Sequence, residues 1–373
     1  MEKLNILVTG GAGFIGSHLV DALIERGHHV RILDSLVPQV HQNGRPEHLP
    51  RTVEFVEGDV CDAAIVESAL EGIDAIFHQA AEVGVGQSMY EVDRYVRAND
   101  LGTAVLLESV IKRQSKIRKL IVASSMSIYG EGAYSCAGCG IVYPHLREEE
   151  QLLDRRWEME CPNCKRLVAP AATKEDKPLF PTSVYAITKQ DQEQFCLVLG
   201  RAYGIPTVAL RYFNVYGPRQ ALSNPYTGVC AIFSARLLND ERPLIFEDGE
   251  QARDFVHVSD IVQANLLALE TDGANYLPVN IGTGVATSIK QIAGLLSEGL
   301  GKNIGPEIVG KYRKGDIRHC FADISRARSL LGYEPRVMLK DGIPELLSWV
   351  REQSASDQVV KATAELESRQ LVR

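Results

Sequence analysis

Short apolar runs alternate with segments of helical periodicity along most of the chain. The runs are rich in β-branched and aromatic side chains, which is typical of buried strands. Between them lie helix-like periods such as residues 105–111. Strands that alternate with helices predict a parallel sheet covered by helices on both faces, so we expect a doubly wound α/β fold. The predicted strands include residues 6–8, 30–33, 53–56, 75–78 and 120–123.

The pattern changes after the apolar run at residues 207–210. Loops rich in Gly, Pro and Asn follow, with short strands and two helical segments near residues 261–270 and 289–300. This pattern of short strands, helices and loops predicts a smaller α/β domain that follows the first. The polar tail, with interspersed Val and Leu, indicates a solvated or frayed helix. We place the first domain at residues 1–180, the second at 181–350 and the tail at 351–373.

A glycine-rich loop separates the first predicted strand from the first helix. Gly10 and Gly13 permit a tight turn and a close approach of backbone to a pyrophosphate, and Gly16 lets the helix pack on the sheet. The helix N-terminus favours an anion. A lone glycine cluster could be a plain turn, but its place between strand and helix favours a Rossmann-type dinucleotide site. The predicted cofactor contacts in the loop are Gly10, Gly13, Phe14, Ile15 and Gly16.

Asp34 ends the second predicted strand, where a carboxylate can bind the adenosine ribose hydroxyls and repel a 2′-phosphate. This favours NAD over NADP, and a turn cap is the competing interpretation. Asp59 and Val60 follow the third strand and are placed to meet the adenine, although a capping aspartate is nearly as compatible with the pattern. Ala80, just beyond the fourth strand, is also included among the predicted cofactor contacts.

Tyr185 and Lys189 are four residues apart at the start of a predicted helix, so they share one face. We expect Tyr185 to act as a general acid and base. A free phenol has a pKa of about 10, so work at neutral pH requires roughly 4 kcal/mol of phenolate stabilisation, which Lys189 and a positive nicotinamide ring would supply. A Tyr and a Lys at this spacing usually only share a helix face and have no catalytic role. Its position downstream of a strand ending in Ser125 favours catalysis, with Ser125 bound to the substrate hydroxyl and Ser124 as a strand-end cap.

Composition and charge narrow the classes of partner. The chain has 373 residues, 45% hydrophobic and 24% charged, which is enough for a large buried core. No apolar run approaches the roughly 18 residues of a membrane span, and the first residues lead straight into a strand rather than a signal peptide. A formal net charge of −8 argues against a broad nucleic-acid surface. We therefore expect a cytoplasmic protein with no membrane or nucleic-acid partner.

Two cysteine pairs interrupt the strand–helix alternation. Cys136 and Cys139 are followed, after 21 residues, by Cys161 and Cys164. Four thiolates at this spacing fill a tetrahedral site and are typical of structural zinc in a zinc ribbon. Unligated thiols and a redox or catalytic role are the competing interpretations. The insert, residues 133–168, begins and ends on either side of the catalytic pair, so we expect it at the rim of the substrate pocket.

With these motifs, the chain resembles an extended short-chain dehydrogenase/reductase of the nucleotide-sugar epimerase and dehydratase branch. The likeness runs from about residue 4 to residue 349 apart from the insert, and it includes residues 210–219 and 253–258. It implies a tightly held NAD, a nucleoside diphosphate sugar as substrate, and a homodimer formed through a helix pair that includes the helix of Tyr185. It also implies that Asn99 lies near the nicotinamide ribose, Asn214 near the substrate phosphates, and Arg253 and Arg313 on the diphosphate.

The residues after Ser125 indicate the reaction. Dehydratases of this branch carry an Asp-Glu pair there and decarboxylases keep the Glu, whereas this chain has Met126 and Ser127. Oxidation at the sugar C4, rotation of the ketone and re-reduction from the other face is the simplest remaining chemistry, which is a 4-epimerase. The insert is similar to that of members acting on dTDP-L-rhamnose, our first expectation for the substrate. Another nucleotide-sugar epimerase, a 4-ketoreductase and a non-catalytic NAD-sensing protein remain the alternatives.

Overall fold

The computed structural model describes residues 2–113 and 117–373. The N-terminal elements are β1 (Asn5–Thr9), α1 (Phe14–Glu25), β2 (His29–Asp34), β3 (Glu54–Glu57), α2 (Ala63–Ala69) and β4 (Ala75–His78). They are followed by α3 (Val85–Ser88), α4 (Val92–Tyr95), a π-helical segment (Val96–Leu101), α5 (Gly102–Lys112), β5 (Lys119–Ser125) and a 3₁₀ turn (Met126–Tyr129).

The cysteine insert and the C-terminal half supply the remaining elements. The insert contains β6 (Ala133–Cys136), β7 (Gly140–Val142), α6 (Glu149–Leu153) and β8 (Ala169–Ala171). Then come α7 (Val184–Tyr203), β9 (Thr207–Tyr212), β10 (Asn214–Tyr216), α8 (Val229–Leu238), β11 (Leu244–Ile245), β12 (Ala252–His257), α9 (Val258–Glu270) and β13 (Leu277–Ile281). The chain ends with β14 (Ala286–Ser288), α10 (Ile289–Gly299), β15 (Glu307–Ile308), β16 (His319–Cys320), α11 (Ser325–Leu331), α12 (Leu339–Arg351) and α13 (Val359–Ser368).

A seven-stranded sheet in the order β13-β9-β5-β4-β1-β2-β3 forms the centre of the fold. Every neighbouring pair in it is parallel. The order reverses between β1 and β4, and the crevice at the carboxyl ends of strands around such a point is where ligands bind in open α/β sheets. The predicted Rossmann-type fold is therefore confirmed.

Helices cover both faces of this sheet because its central strands are apolar on both sides. Ile6 and Val8 of β1 pack with α1 and α9, whereas Leu7 faces the cluster formed with α2, α5 and α7. All three side chains are fully buried. A continuous apolar run, rather than an alternating one, is what a strand buried on both faces requires.

The predicted domain boundary near residue 180 differs from the structure. Helix α7 and strands β9 and β13 belong to the central sheet layer, although they follow that boundary in sequence. The smaller unit is made from β10, β12 and β14, with β16 beside β12, and from a core between α8, α10 and α12. The chain thus crosses between the two units several times, which the strand–helix pattern alone does not reveal.

The predicted solvated tail is also corrected by the structure. Ala362 and Leu366, one helical turn apart on α13, are 7% and 6% exposed, and Val372 is 5% exposed. The sequence of the tail is polar because α13 buries one narrow face only. Among the described residues, no helix combines the length and the apolar character that crossing a membrane requires.

Helix α7 has well-defined ends. The Ser183 side chain accepts a hydrogen bond from the backbone N–H of Ala186 at the N-terminus, and Gly204 takes a left-handed conformation, with φ of 67°, at the C-terminus. Near that end, Gly200 packs directly on Thr207 at the start of β9. The helix is therefore held at a fixed distance from the sheet.

We expect Gly200→Ala to lower the melting temperature, because the added methyl group would overlap the Thr207 hydroxyl, and overpacking of this kind costs about 1–3 kcal/mol. Gly294→Ala on α10 is the matched control. Its methyl group would meet no atom within 4 Å, so it should stabilise the protein by about 0.5–1 kcal/mol. Thermal unfolding measures both, and an equal effect of the two changes would contradict the close packing of α7.

Candidate active site

A cavity of about 930 Å³ opens at the carboxyl ends of the central strands. It brings together predicted residues that are far apart in sequence, from the glycine loop to the loop at residues 313–317. Asn99 and the four paired cysteines are not on its wall. The predicted residues that line it are Gly10, Gly13, Phe14, Ile15, Gly16, Asp34, Asp59, Val60, Ala80, Ser125, Tyr185, Lys189, Asn214, Arg253 and Arg313.

The glycine loop leaves no room for side chains. Gly10 has a φ of 68°, and a methyl group there would lie 2.7 Å from the backbone nitrogen of Ala80. A methyl group on Gly16 would overlap the Gly10 carbonyl. Gly13 forms the N-cap of α1 and supplies no side-chain acceptor to the helix. The first-turn N–H groups of α1 therefore stand at the cavity wall, where an anion can accept from them.

Asp34 ends β2 as predicted, and its carboxylate also caps the loop. Its two oxygens accept hydrogen bonds from the backbone N–H groups of Ala12 and Leu36, each at 2.9 Å. A carboxylate oxygen can accept more than one hydrogen bond, so capping and ribose binding are compatible. Asp59 accepts from the backbone N–H of Cys61 at 2.9 Å, which matches the capping interpretation, although it still lines the cavity.

Tyr185 and Lys189 lie on the first turns of α7 and face the cavity. The ring of Tyr185 packs edge-on against Tyr95, with centroids 6.4 Å apart. Burial raises the pKa of the Tyr185 phenol, and the Ser125 hydroxyl partly offsets that effect. Burial lowers the pKa of Lys189 to about 8. In the protein alone, burial thus favours the neutral forms of both Tyr185 and Lys189.

Lys189 is held by a buried polar network that the sequence analysis missed. Its Nζ donates to the Gln192 Oε1 at 2.7 Å, and the Gln192 Nε2 donates to the Thr103 hydroxyl at 2.8 Å. His78 contacts the same hydroxyl at 2.9 Å, and burial lowers its pKa to about 3. The spacing of Lys189 and Gln192, three residues apart on one helix, is the signal that could have revealed this support.

The two serines at the end of β5 have different partners. Ser124 donates to Glu193 of α7 at 2.6 Å, so its hydroxyl is fixed within the fold. The Ser125 oxygen accepts from the backbone N–H and from the hydroxyl of Ser127, at 3.2 and 2.9 Å. The second serine therefore remains the one that the structure presents beside Tyr185.

Four acidic side chains line the cavity, and each is engaged by another group. Asp34 and Asp59 cap backbone N–H groups. Glu82 pairs with Arg94 at 2.8 Å, and Asp316 pairs with Arg313 at 2.7 Å. None follows Ser125 directly, where Met126 and Ser127 stand. The positions directly after Ser125 therefore carry no carboxylic acid.

The structure does not bring the Asn99 side chain to the cavity. Its Oδ1 accepts from the backbone N–H of Glu82 at 2.7 Å, and its Nδ2 donates to the Glu82 carbonyl and the Thr188 hydroxyl. Asn99 is fully buried, and its amide already has partners on both atoms. Its geometry is that of a clamp between the π-helical segment and α7. The expected contact with the nicotinamide ribose stays a prediction.

Unpaired polar atoms mark the other end of the cavity. Within the described residues, the side-chain oxygens of Asn214, Gln220 and Gln251 are buried without a hydrogen-bond partner, and all three residues line the cavity. Arg253 donates to the carbonyls of Ile317 and Arg318, which orients it at the same wall. The glutamines were missed because an isolated Gln in a loop carries no sequence signal.

The four paired cysteines converge, as their spacing predicts. The sulfur atoms of Cys136, Cys139, Cys161 and Cys164 all lie within 4.8 Å of one another. A tetrahedral zinc site with Zn–S bonds of about 2.3 Å places its sulfurs about 3.8 Å apart. Each pair forms a tight turn, in which Gly140 and Lys165 adopt positive φ angles of 73° and 60°. The donor set and its geometry fit a structural zinc ion.

The insert does not line the cavity, which corrects its expected place at the rim. It instead packs against the loop that does. Arg147 forms an ion pair with Glu247 at 2.8 Å and also donates to the Asp316 carbonyl. Arg318 is fully buried and pairs with Glu247, Asp248 and Glu158 of the insert. This buried ion-pair network joins the insert to the segment that precedes β16.

The sequence profile described as the NAD dependent epimerase/dehydratase family matches residues 6–144 and 162–282. The chain belongs to this family. The interruption of the match, residues 145–161, falls inside the cysteine insert. The predicted family and enzyme class are therefore confirmed.

Individual relatives match along nearly the whole chain. The dTDP-L-rhamnose 4-epimerase of Burkholderia thailandensis is 37% identical over 95% of this chain and 96% of its own length. The structure of the UDP-glucose 4-epimerase of Thermotoga maritima with UDP-glucose is 36% identical, with a TM-score of 0.76 over 94% of this chain and 99% of that one. The Thermus thermophilus UDP-glucose 4-epimerase complex with NAD is 31% identical, with a TM-score of 0.75 over 94% and 99%.

We expect the purified protein to carry NAD without NADP, because a 2′-phosphate beside Asp34 would meet a carboxylate that already caps the loop. Mass analysis of the released cofactor measures this. Asp34→Asn should weaken NAD binding by about 10- to 100-fold through loss of charged hydrogen bonds. Asp59→Asn is the control and should have a smaller effect. Mainly NADP in the wild-type protein would contradict the role of Asp34.

Proposed function

We propose that the chain is an NAD-dependent 4-epimerase of a nucleoside diphosphate sugar. The observation that carries the proposal is the meeting of Ser125, Tyr185 and Lys189 with the glycine loop on one cavity, with Met126 and Ser127 in place of acidic residues. The sheet domain would hold the dinucleotide. The smaller unit, with Asn214, Arg253 and Arg313, would hold the nucleotide sugar.

The residues fit the dinucleotide on structural grounds. The glycine loop excludes side chains, and the α1 N-terminus faces the cavity without a side-chain cap. Bound NAD would supply the hydride acceptor for oxidation at the sugar C4 and the hydride donor for the re-reduction, so that the overall reaction is redox-neutral. The orphan oxygen of Asn214 and the guanidinium groups of Arg253 and Arg313 suit a diphosphate-linked substrate.

Tyr185 would move the proton in both half-reactions. As the C4–H hydride leaves, the Tyr185 phenolate takes the proton of the C4 hydroxyl, and a ketone forms at C4. When hydride returns to the opposite face of the ketone, Tyr185 gives the proton back. Ser125 would hold the C4 oxygen during both steps. Lys189, with a pKa of about 8, would keep a positive charge at neutral pH and oppose the burial that raises the Tyr185 pKa.

The relatives support this reaction over the alternatives. The two structural neighbours and the dTDP-L-rhamnose relative are named 4-epimerases. We keep dTDP-L-rhamnose as the first substrate to test and UDP-hexoses as the second. A 4-ketoreductase would consume reduced cofactor in each turnover, whereas an epimerase would not. The complete Ser125, Tyr185 and Lys189 set disfavours a non-catalytic NAD sensor.

We also propose that the chain forms a homodimer through α7 and its neighbours. Ile187, Phe195 and Val198 follow one face of α7 at helical spacing and are 46%, 39% and 60% exposed. Val96 and Leu101 of the adjacent π-helical segment are also exposed. An apolar stripe across neighbouring helices is typical of a helix-bundle interface with a second copy. A cytoplasmic location remains a prediction.

The insert would serve as a zinc-stabilised support for the loop that carries Arg313. The cysteine site is closed once four thiolates bind the ion, so it leaves no position for substrate. The insert core is small, with Tyr134, Val142, Met159 and Val168 around the cysteines. Such a module depends on its metal for stability. The Arg147–Glu247 ion pair would transmit that stability to the cavity wall.

We expect Tyr185→Phe to lower turnover by about 10²- to 10⁴-fold, the usual contribution of a general acid and base, while NAD binding is retained. C4 inversion of dTDP-L-rhamnose and UDP-glucose measures the loss. Ser125→Ala should be less severe. Tyr203→Phe, an exposed tyrosine at the far end of the same helix, is the control and should leave turnover unchanged. A Phe variant that retained more than a few per cent of activity would show that another group transfers the proton.

We expect one zinc per chain, and we expect Cys161→Ser to lose it while keeping NAD and the central sheet. Affinity for the nucleotide sugar should fall more than affinity for NAD, because the loop of Arg313 loses its support. Metal analysis and paired titrations measure these effects. Cys196→Ala, a buried cysteine in the sheet core, is the control and should keep the zinc. A metal-free variant with unchanged substrate affinity would argue against the support role.

A further inference from the structure

Residues 355–373, which we call the C-terminal strap, lie across the cavity. The strap consists of α13 and the segments on either side of it. Its buried residues Ala362 and Leu366 point inward, and the opposite face of α13 is exposed, with Val360 at 69%. The strap residues that line the cavity are Val359, Ala362, Thr363, Leu366 and Leu371. The strap therefore forms one wall of the cavity.

Both ends of the strap are fixed to the smaller unit. At its start, Asp357 forms an ion pair with Arg236 of α8 at 2.8 Å, and the Ala355 carbonyl accepts from Asn239. At its end, Tyr312 and Arg373 exchange two backbone hydrogen bonds, of 2.7 and 3.0 Å. The backbone N–H of Lys314 donates to the Leu371 carbonyl at 2.9 Å. These bonds flank Arg313 on both sides and set its position.

The middle of the strap packs against Gly86 and Tyr90 of the sheet domain. Leu366 packs over Gly86, where an added methyl group would lie 3.5 Å from it. The guanidinium group of Arg369 stacks 4.3 Å above the ring of Tyr90. Tyr90 shares a hydrogen bond of 2.6 Å with Tyr226, which also contacts Glu365.

Those contacts continue to the catalytic tyrosine. Gly84 lies between Tyr226 and Tyr95, because a methyl group on it would approach both side chains within 3.0 Å. The ring of Tyr95 packs against Tyr185. A chain of contacts thus links the middle of the strap to Tyr185, and backbone hydrogen bonds link its end to the neighbours of Arg313.

The side chains that the strap presents to this part of the cavity carry no charge. Its lining side chains are aliphatic except for the hydroxyl of Thr363, and Val83, Val85 and Met89 line the wall nearby. Arg94, Arg97 and Lys314 also line the cavity, and each has an acidic partner. Arg94 pairs with Glu82 and Glu91, Arg97 with Asp93 and Lys314 with Glu149. Among the described residues, a carboxylate on the sugar would meet this uncharged surface and neighbouring cations that already have acidic partners, which is unfavourable in an enclosed site.

We propose that the strap encloses the reacting sugar and that Leu366 and Thr363 are specificity-determining residues, which favour an uncharged hexose over a hexuronic acid. The proposal rests on the proposed function, since it assigns the sugar to this end of the cavity. Tyr185 and Ser125 remain the groups that act on C4. The strap contributes the surface that contacts the rest of the sugar ring and so distinguishes one sugar from another.

Hydrogen exchange tests the enclosure without requiring turnover. NAD-loaded protein is compared alone, with UDP or dTDP, and with UDP-glucose or dTDP-L-rhamnose. We expect the amides of residues 359–368 to exchange at least about tenfold more slowly with a nucleotide sugar than with the matching nucleotide, because the diphosphate reaches only the end of the strap beside Arg313. Equal exchange with nucleotide and nucleotide sugar would overturn the enclosure.

Point variants test the selection. Leu366→Ala should raise the KM for the uncharged sugar by about tenfold, the usual effect of removing methylene contacts from a substrate pocket. Val360→Ala, on the exposed face of the same helix, is the matched control and should change nothing. Thr363→Lys should raise kcat/KM for UDP-glucuronic acid relative to UDP-glucose by at least about tenfold, because it supplies a cation.

The two proposals fail in different ways. A wild-type protein that inverts C4 of no nucleotide sugar would refute the proposed function, whereas hydrogen exchange would still report on the strap. An active wild-type protein with Leu366→Ala and Thr363→Lys indistinguishable from Val360→Ala would refute the strap alone. NAD content and melting temperature of each variant separate a loss of folding from a loss of selection.

Discussion

The buried ion pair between Glu193 and Arg211 sets the position of the catalytic helix. Glu193 lies on α7 and Arg211 on β9, and two hydrogen bonds of 2.6 and 2.9 Å join them. Ser124 of β5 donates to the same carboxylate at 2.6 Å. Loss of one partner of a buried pair costs about 3–5 kcal/mol, because the other charge remains buried and uncompensated. The face of α7 that carries Tyr185 is therefore held against the strand end that carries Ser125.

The cysteine insert and the C-terminal strap converge on the loop of Arg313. From one side, the cysteine insert reaches this loop through Arg147, which donates to the Asp316 carbonyl. From the other side, the strap pairs its last residues with Tyr312 and Lys314. A loop exposed at a cavity mouth would otherwise have few contacts to define it. Its two supports mean that changes far from the cavity in sequence can alter how a substrate is held.

Most of the chemical groups that the sequence identified could be recognised from the spacing of residues that are close together in the chain. The glycine loop, Asp34 at the end of β2 and the pair Tyr185 and Lys189 each depend on residues within one strand–loop–helix unit or one helical turn. Backbone geometry relates neighbours at such spacings in a fixed way, so the pattern predicts the arrangement. The four cysteines follow the same logic, since each pair needs only its own tight turn. The strands of the central sheet could also be predicted, because their apolar runs are unbroken.

Only the tertiary structure decided where distant segments meet. The amide of Asn99 bonds to Glu82 and Thr188, the latter 89 residues away, and no local pattern reveals that both of its atoms are already engaged. The tail reads as polar because α13 buries a single narrow face, although Leu366 closes a cavity wall. The insert lies behind the loop of Arg313 because buried charges such as Arg318 find partners from two separate segments, Glu158 of the insert and the adjacent Glu247 and Asp248. Hydrophobic periodicity records which residues are buried, but it does not record which segments bury them.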